Sequence, residues 1–182
     1  MPQFQLDTSG RVDGVPACRG HAAAPVVDIR YHGSLAFGDL DPFTQGYIEA
    51  LFFTEEERLC EESDGARHMP DVVINTATME SRFVGGDSFG FSDLAPDALA
   101  RIIADCAAFQ RDNAETLAEA YARDYDVEQA GRDYWFTRNG HGVGFWDREA
   151  LDAEGLGERL SAACRYSEVS PYLGDDGKVY LS

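Results

Sequence analysis

The amphipathic pattern between Pro96 and Tyr121 constrains the fold more than any other part of the sequence. Apolar residues recur there at the spacing of a single helix face, at Leu99, Ile102, Ile103, Cys106, Phe109, Leu117 and Tyr121. A period of ~3.6 residues predicts a helix of about seven turns. A helix of this kind buries its apolar stripe against other elements, so the chain must supply partners for it.

Three further helices are predicted from their end signals. Asp41 is expected to cap a helix that has Pro42 as its first residue and that ends near Phe53. Asp126 is expected to cap a helix that stops at Asn139-Gly140, where a left-handed residue terminates helices. The apolar residues at 156, 160 and 164 predict the last helix.

Strands are predicted in three places. Val72–Ile74 is rich in β-branched residues, and residues 170–182 read as a hairpin that turns at Asp176-Gly177. A third strand is predicted where Val143 and Phe145 alternate with Gly142, Gly144 and Trp146. The predicted class is therefore α+β, with about four helices and a small C-terminal antiparallel sheet that ends in a β-hairpin. Residues 1–38 are expected to be an irregular extension with an edge strand at 26–29, and residues 39–182 a single domain with an acidic loop at 54–92.

The net charge restricts the partners that the chain can bind. Fifteen basic and 33 acidic residues give a formal charge of −18, which repels nucleic acid and membrane phosphates and attracts basic protein surfaces. The four cysteines are widely spaced and the N-terminus has no export signal, so a reduced, cytoplasmic protein is expected. Neither G-x-G-x-x-G nor a P-loop is present, and no cofactor is predicted. The oligomeric state stays open.

An acidic stripe is predicted on the long helix, opposite its apolar face. It consists of Asp97, Asp105, Asp112, Glu115 and Glu119. Most such stripes are solvated faces. In a chain of this charge the stripe can also act as a binding surface for a basic protein.

A second candidate site lies in residues 134–148, which hold both tryptophans and a concentration of basic side chains. Guanidinium and imidazole groups beside aromatic rings can hold a phosphate or carboxylate, which nominates Arg138, Asn139, His141, Trp146 and Arg148 as ligand-binding residues. His141 and Asp147 are the catalytic candidates because imidazole titrates near neutrality. The competing interpretation is structural: Asp133 and Asp147 neutralise these cations and the tryptophans anchor the core.

A metal site has only weak support in the sequence. Cys18, His21 and His32, with Cys60 or His68, supply atoms that zinc prefers. They lack the paired spacing of structural zinc sites, so no metal is predicted. Cys106 and Cys164 fall on apolar helix faces and are expected to be core residues.

Four segments carry a resemblance to known sequences. The runs F-T-R-N-G-H-G-V-G-F-W-D-R at 136–148 and Y-L-G-D-D-G-K-V-Y at 172–180, with the motifs at 43–51 and 103–109, resemble a family of small uncharacterised proteins encoded by bacteriophages and plasmids. The first 38 residues and the acidic loop fall outside the resemblance. It implies a mobile genetic element as the setting and no particular activity.

These observations lead to one main functional hypothesis and two alternatives. The main one is an acidic, non-enzymatic interaction protein that mimics DNA and blocks a basic, nucleic-acid-binding host protein, such as a defence or DNA-processing enzyme. The first alternative is a small enzyme or ligand-binding module centred on Arg138, His141, Asp147 and Arg148. The second is a structural or assembly role in a virion.

Overall fold

The computed structural model describes residues 35–75, 80–84, 86–165 and 167–182. Within them the α+β class is confirmed, with five helices where four were expected. The helices are α1 (Pro42–Glu62), α2 (Pro96–Asp112), α3 (Ala114–Tyr121), α4 (Val127–Asn139) and α5 (Leu156–Ala163). The strands are β1 (Asp71–Asn75), β2 (Glu80–Val84), β3 (Pro171–Leu173) and β4 (Val179–Leu181). The edge strand expected at 26–29 lies outside the described residues.

Helix α4 begins and ends where its sequence predicts. The Asp126 side chain accepts a hydrogen bond of 2.9 Å from the backbone N–H of Gln129, which satisfies one free donor of the first turn. Gly140 follows the last turn at φ 68°, a left-handed conformation that suits glycine. The helix is thus defined by local chemistry at both ends.

Helix α1 is longer than expected, because it continues beyond Phe53 to Glu62. The acidic residues in this stretch are good helix formers, and Arg58 pairs with Glu55 and Glu62, one turn away on either side. Leu59 and Cys60 are buried and attach this extension to the core. The expected loop at 54–92 therefore begins as helix.

The long helix predicted from Pro96 to Tyr121 is instead two helices that meet at Asn113. Asn113 has non-helical dihedral angles (φ −115°, ψ 20°), and its side-chain amide donates to the carbonyl of Phe109 at 2.9 Å. Such side-chain bonds to the backbone compete with the helical pattern. Apolar periodicity continues through the break, and for this reason the sequence pattern did not reveal it.

The strand predicted at residues 143–146 is wrong. The chain forms a short 3-10 helix there, Phe145–Asp147, after glycines at positive φ at 142 and 144. The Thr137 hydroxyl accepts a hydrogen bond of 3.1 Å from the backbone N–H of Phe145. Alternating glycines had resembled a strand pattern, but positive φ angles turn the chain away from an extended path.

Two antiparallel hairpins complete the fold. The strand expected at Val72–Ile74 is part of β1, and its partner β2 lies in the region expected to be a loop. The C-terminal hairpin of β3 and β4 is confirmed, with Gly177 in its turn at φ 75°. Arg58 donates to the Pro171 carbonyl at 2.8 Å and ties this hairpin to α1.

Helices α1 and α4 form the closest helix contact of the domain. Glycines occupy the crossing on both sides: Gly46 lies against the Glu128 carbonyl and Gly131 against the Phe43 carbonyl. A Cβ atom at either glycine would overlap the opposite backbone. The contact is therefore made by main chain against main chain, with no layer of side chains between.

The core is aromatic around this crossing. Phe109 stacks on Tyr134 at 4.1 Å between ring centroids, and Tyr47 meets Trp135 edge-on at 5.2 Å. Cys106 and Cys164 are buried, as predicted for core residues. Burial raises the pKa of the Cys164 thiol to about 12 and that of Cys106 well above its ordinary value.

These buried thiols predict alkaline destabilisation. The unfolded thiols ionise from about pH 8.5 while the folded ones stay protonated, so their stabilising contribution is complete below that pH and is lost as pH rises through the folded pKa. Each fully shifted thiol should cost about 1.4 kcal/mol per pH unit in that window. Unfolding free energies measured at pH 8, 9 and 10 should fall more steeply for the native chain than for Cys164→Ala. Equal slopes would contradict the prediction.

Candidate functional site

Arg138 is held inside the protein by hydrogen bonds to three parts of the chain. It is 8% exposed, and its guanidinium donates to Asp105 at 3.1 Å, to the Tyr47 hydroxyl at 3.0 Å and to the Ser167 carbonyl at 2.6 Å. The group also lies over the Tyr134 ring at 5.0 Å. Burial raises the pKa of the Tyr47 hydroxyl well above 10.0, so this hydroxyl remains neutral. Arg138 thus joins α1, α2 and the tail through contacts inside the fold.

Arg148 is paired with a fully buried carboxylate. Its Nε and Nη2 atoms donate to Asp133 at 2.7 and 2.5 Å, and Asp133 also accepts from Tyr125 at 2.5 Å and Gln129 at 3.1 Å. The hydrogen bond to Asp133 is the main cause that raises the pKa of Arg148. The sequence left two interpretations of this cation open. In the fold, Asp133 neutralises it, which agrees with the structural interpretation.

The Asn139 side chain forms hydrogen bonds with two backbone groups, one in α4 and one in the C-terminal tail. Its side-chain amide donates to the Trp135 carbonyl at 3.1 Å, and its oxygen accepts from the backbone N–H of Val169 at 3.0 Å. These bonds attach the tail to the end of α4. Three of the five ligand-binding candidates are therefore occupied by contacts within the fold.

His141 has a different environment. Its ring stacks on Trp135 at 5.8 Å and meets Phe136 edge-on at 6.2 Å. Its Nε2 atom lies 3.6 Å from Glu55 Oε1, beyond hydrogen-bond length, and has no hydrogen-bond partner among the described residues. Glu55 is 86 positions away in the sequence, so nothing in the local pattern could have identified it.

The remaining candidates of this segment face solvent. Trp146 is 46% exposed, while Asp147 is exposed and makes no ion pair within the described part of the chain. Tyr134, which the sequence grouped with them, is buried in the aromatic core. The structure thus separates the segment into buried side chains with structural contacts and exposed side chains near its turn.

The acidic stripe is distributed over α2 and α3. Asp97, Asp112, Glu115 and Glu119 are exposed, whereas the Asp105 side chain is 32% exposed and pairs with Arg138. Glu119 pairs with Arg159 at 2.7 Å, an exposed contact that contributes little stability. Four stripe residues therefore present their carboxylates to solvent, and Asp105 supports the fold.

Most described arginines already have carboxylate partners. Eight of them form ion pairs: Arg58, Arg67, Arg111, Arg123, Arg132, Arg138, Arg148 and Arg159. Residues 1–34 hold three acidic and three basic side chains, so the surplus of −18 belongs entirely to residues 35–182. Exposed carboxylates without an ion pair to another described residue include Asp97, Glu115, Asp147, Glu149, Asp152 and Glu168. The surface that remains is strongly negative.

The metal candidates are not brought together in the described part of the chain. Cys18, His21 and His32 lie outside it, Cys60 is buried and His68 is exposed. Across residues 35–75, 80–84, 86–165 and 167–182, no group of three or more histidine, cysteine or acidic side chains could hold a metal ion. In the same residues no helix has both the length and the apolar character needed to cross a bilayer.

No protein-family model, curated protein or solved structure matches this chain.

Proposed function

We propose that this chain is an acidic, non-enzymatic interaction protein that binds a basic host protein through exposed carboxylates. The observation that carries the proposal is the excess of surface carboxylates over available cations. Eight described arginines are already in ion pairs, and unpaired carboxylates remain on the surface. A field of this sign attracts positively charged clefts and speeds their association.

The more specific form of the proposal is DNA mimicry. Asp97, Asp112, Glu115 and Glu119 would take the place of backbone phosphates in a cleft that normally binds nucleic acid. Asp97 and Glu115 have no ion pair within the described residues, and Asp112 and Glu119 would exchange their exposed pairs with Arg111 and Arg159 for cations of the partner. A phage- or plasmid-encoded protein of this kind would block a host defence or DNA-processing enzyme. The family resemblance at residues 136–148 and 172–180 supports that setting.

Neutralising the stripe tests the proposal. The variant is Asp97→Asn, Asp112→Asn, Glu115→Gln and Glu119→Gln, with Asp105 unchanged because it pairs with buried Arg138. The matched control removes four charges elsewhere, at Glu61, Asp64, Glu168 and Asp175. Both are compared with the native chain in affinity capture from nuclease-treated bacterial lysate, with bound proteins identified by mass spectrometry.

The expected result is capture of a nucleic-acid-binding protein by the native chain and the control. Capture should weaken with salt, should be competed by added duplex DNA and should be lost in the stripe variant. Equal loss in both variants would mean that net charge alone is responsible. Capture that survives in the stripe variant with unchanged salt dependence would exclude the stripe as the binding surface.

The His141-centred alternative has one observation in its favour, the unpartnered Nε2 atom beside Glu55. It has less support because Arg138, Asn139 and Arg148 are engaged inside the fold. Thermal-shift screening with phosphate- and carboxylate-bearing metabolites would test it. A stabilising metabolite whose effect disappears in His141→Ala would replace the interaction proposal with a ligand-binding one.

A further inference from the structure

We propose that the outer face of α1 and α4, at Phe53 and Phe136, docks a partner segment that carries both arginine and large apolar side chains. The inference rests on the proposed function for the basic character of the partner. It adds a second contact surface, separate from the stripe, and an apolar component that DNA mimicry does not require.

Phe53 is the starting observation. It is 80% exposed, the largest value among the exposed large hydrophobic residues of the described chain, while Leu51 and Phe52 beside it are buried. Burial of a phenylalanine side chain away from water is favourable, and this residue forgoes that stabilisation in the free protein. Single exposed apolar residues are common, so the neighbours of Phe53 decide whether it belongs to a surface.

The neighbours come from the second helix. The contacts Glu49–Arg132 and Thr54–Trp135 advance together along α1 and α4, and His141, just beyond the end of α4, lies beside Glu55, so the two helices run in the same general direction. Phe53 and Phe136 each lie four residues beyond the Glu49–Arg132 pair, on the next turn of the same faces. The partly buried Phe136 ring in turn meets His141 edge-on. Helical spacing thus places the Phe53 and Phe136 rings on one side of the α1–α4 pair.

The charge beside this surface identifies the occupant. Glu56 and Glu57 follow Phe53 at i+3 and i+4, and neither makes an ion pair within the described residues. An arginine can stack its guanidinium on a phenyl ring and bond a carboxylate at the same time. Lysine lacks this planar geometry. An acidic segment would repel the two glutamates, and a purely apolar segment would leave them unpaired. The fitting partner alternates arginine with apolar residues.

Two synthetic peptides provide the test, one alternating arginine and leucine and the other arginine and serine, both labelled and titrated by fluorescence anisotropy with the full chain. The arginine-leucine peptide should bind more tightly. Phe53→Ser should weaken its binding by about tenfold or more. Met69→Ser is the matched control, because Met69 is another exposed apolar residue, and it should leave the affinity unchanged.

The outcomes separate this inference from the proposed function. If both peptides bind equally and Phe53→Ser has no effect, the docking surface is wrong, although charge-driven binding stands. If Phe53→Ser weakens peptide binding while the stripe variant of the preceding section still captures its partner from lysate, the stripe is wrong and the docking surface stands. Absence of peptide binding, together with a dimer in sedimentation that Phe53→Ser dissociates, would overturn the inference in favour of a second copy of the chain.

Discussion

Replacing Gly131 with alanine is expected to lower the free energy of unfolding by about 3 kcal/mol or more, at the upper end of the range for overpacked interiors. The new Cβ would overlap the Phe43 carbonyl oxygen and crowd the Tyr47 backbone, neither of which can rotate away. Alanine normally stabilises a helix over glycine by roughly 0.5–1 kcal/mol, so the sign of the effect is diagnostic. Gly46→Ala should behave alike, because its Cβ would overlap Glu128.

Chemical denaturation followed by circular dichroism measures this effect. Gly38→Ala is the control, since a Cβ there meets no atom within 4 Å. A loss of about 3 kcal/mol corresponds to a fall in Tm of roughly 6–12 °C for a chain of this size. If Gly131→Ala were as stable as Gly38→Ala, the backbone contact between α1 and α4 would be disproved.

Asp133→Asn should produce the second large loss, about 3 kcal/mol, at the low end of the range for broken buried ion pairs, because the carboxylate is fully buried while Arg148, which loses its partner, is partly exposed. Asp133 is fully buried and accepts hydrogen bonds from Arg148, Tyr125 and Gln129. An asparagine keeps the shape but offers one acceptor oxygen and two unwanted donors to these groups. Urea unfolding of the variant gives the free energy directly.

Asp147→Asn is the matched control for this second prediction. It makes the same chemical change in an exposed residue that has no ion pair within the described chain, and its stability should stay within about 0.5 kcal/mol of the native value. A double-mutant cycle that adds Arg148→Met should recover part of the Asp133→Asn loss, because the unpaired cation is then absent. A stable Asp133→Asn single variant would show that the ion pair contributes little.

Local signals predicted helix α4 almost completely. The Asp126 cap, the i, i+4 spacing of Ala130 and Tyr134 and the left-handed stop at Gly140 are all encoded within a few residues of where they act. The C-terminal hairpin was predictable for the same reason, since its turn residues determine where the two strands meet. Neutralisation of the segment's cations by Asp133 was one of two open interpretations, because Asp133 and Arg148 lie in one short segment.

Predictions failed where a distant contact or a single side chain overrides the pattern. The break at Asn113 depends on one amide hydrogen bond inside a continuous apolar period. The extension of α1 depends on Leu59 and Cys60 reaching the core, and the segment's acidic composition had suggested a loop. The pairing of Asp105 with Arg138 joins residues 33 positions apart, so the periodicity that placed Asp105 on a solvent stripe carried no information about it.

The glycine crossing of α1 and α4 has a consequence for any partner that meets these helices. Contacts between main chains have no rotamers to rearrange, so the two helices hold one relative position before and after association. A protein that docks on their outer face would therefore find a preorganised platform and would avoid most of the conformational-entropy cost of ordering it. Its affinity would depend on the few side chains that project from the platform, with little contribution from backbone adjustment.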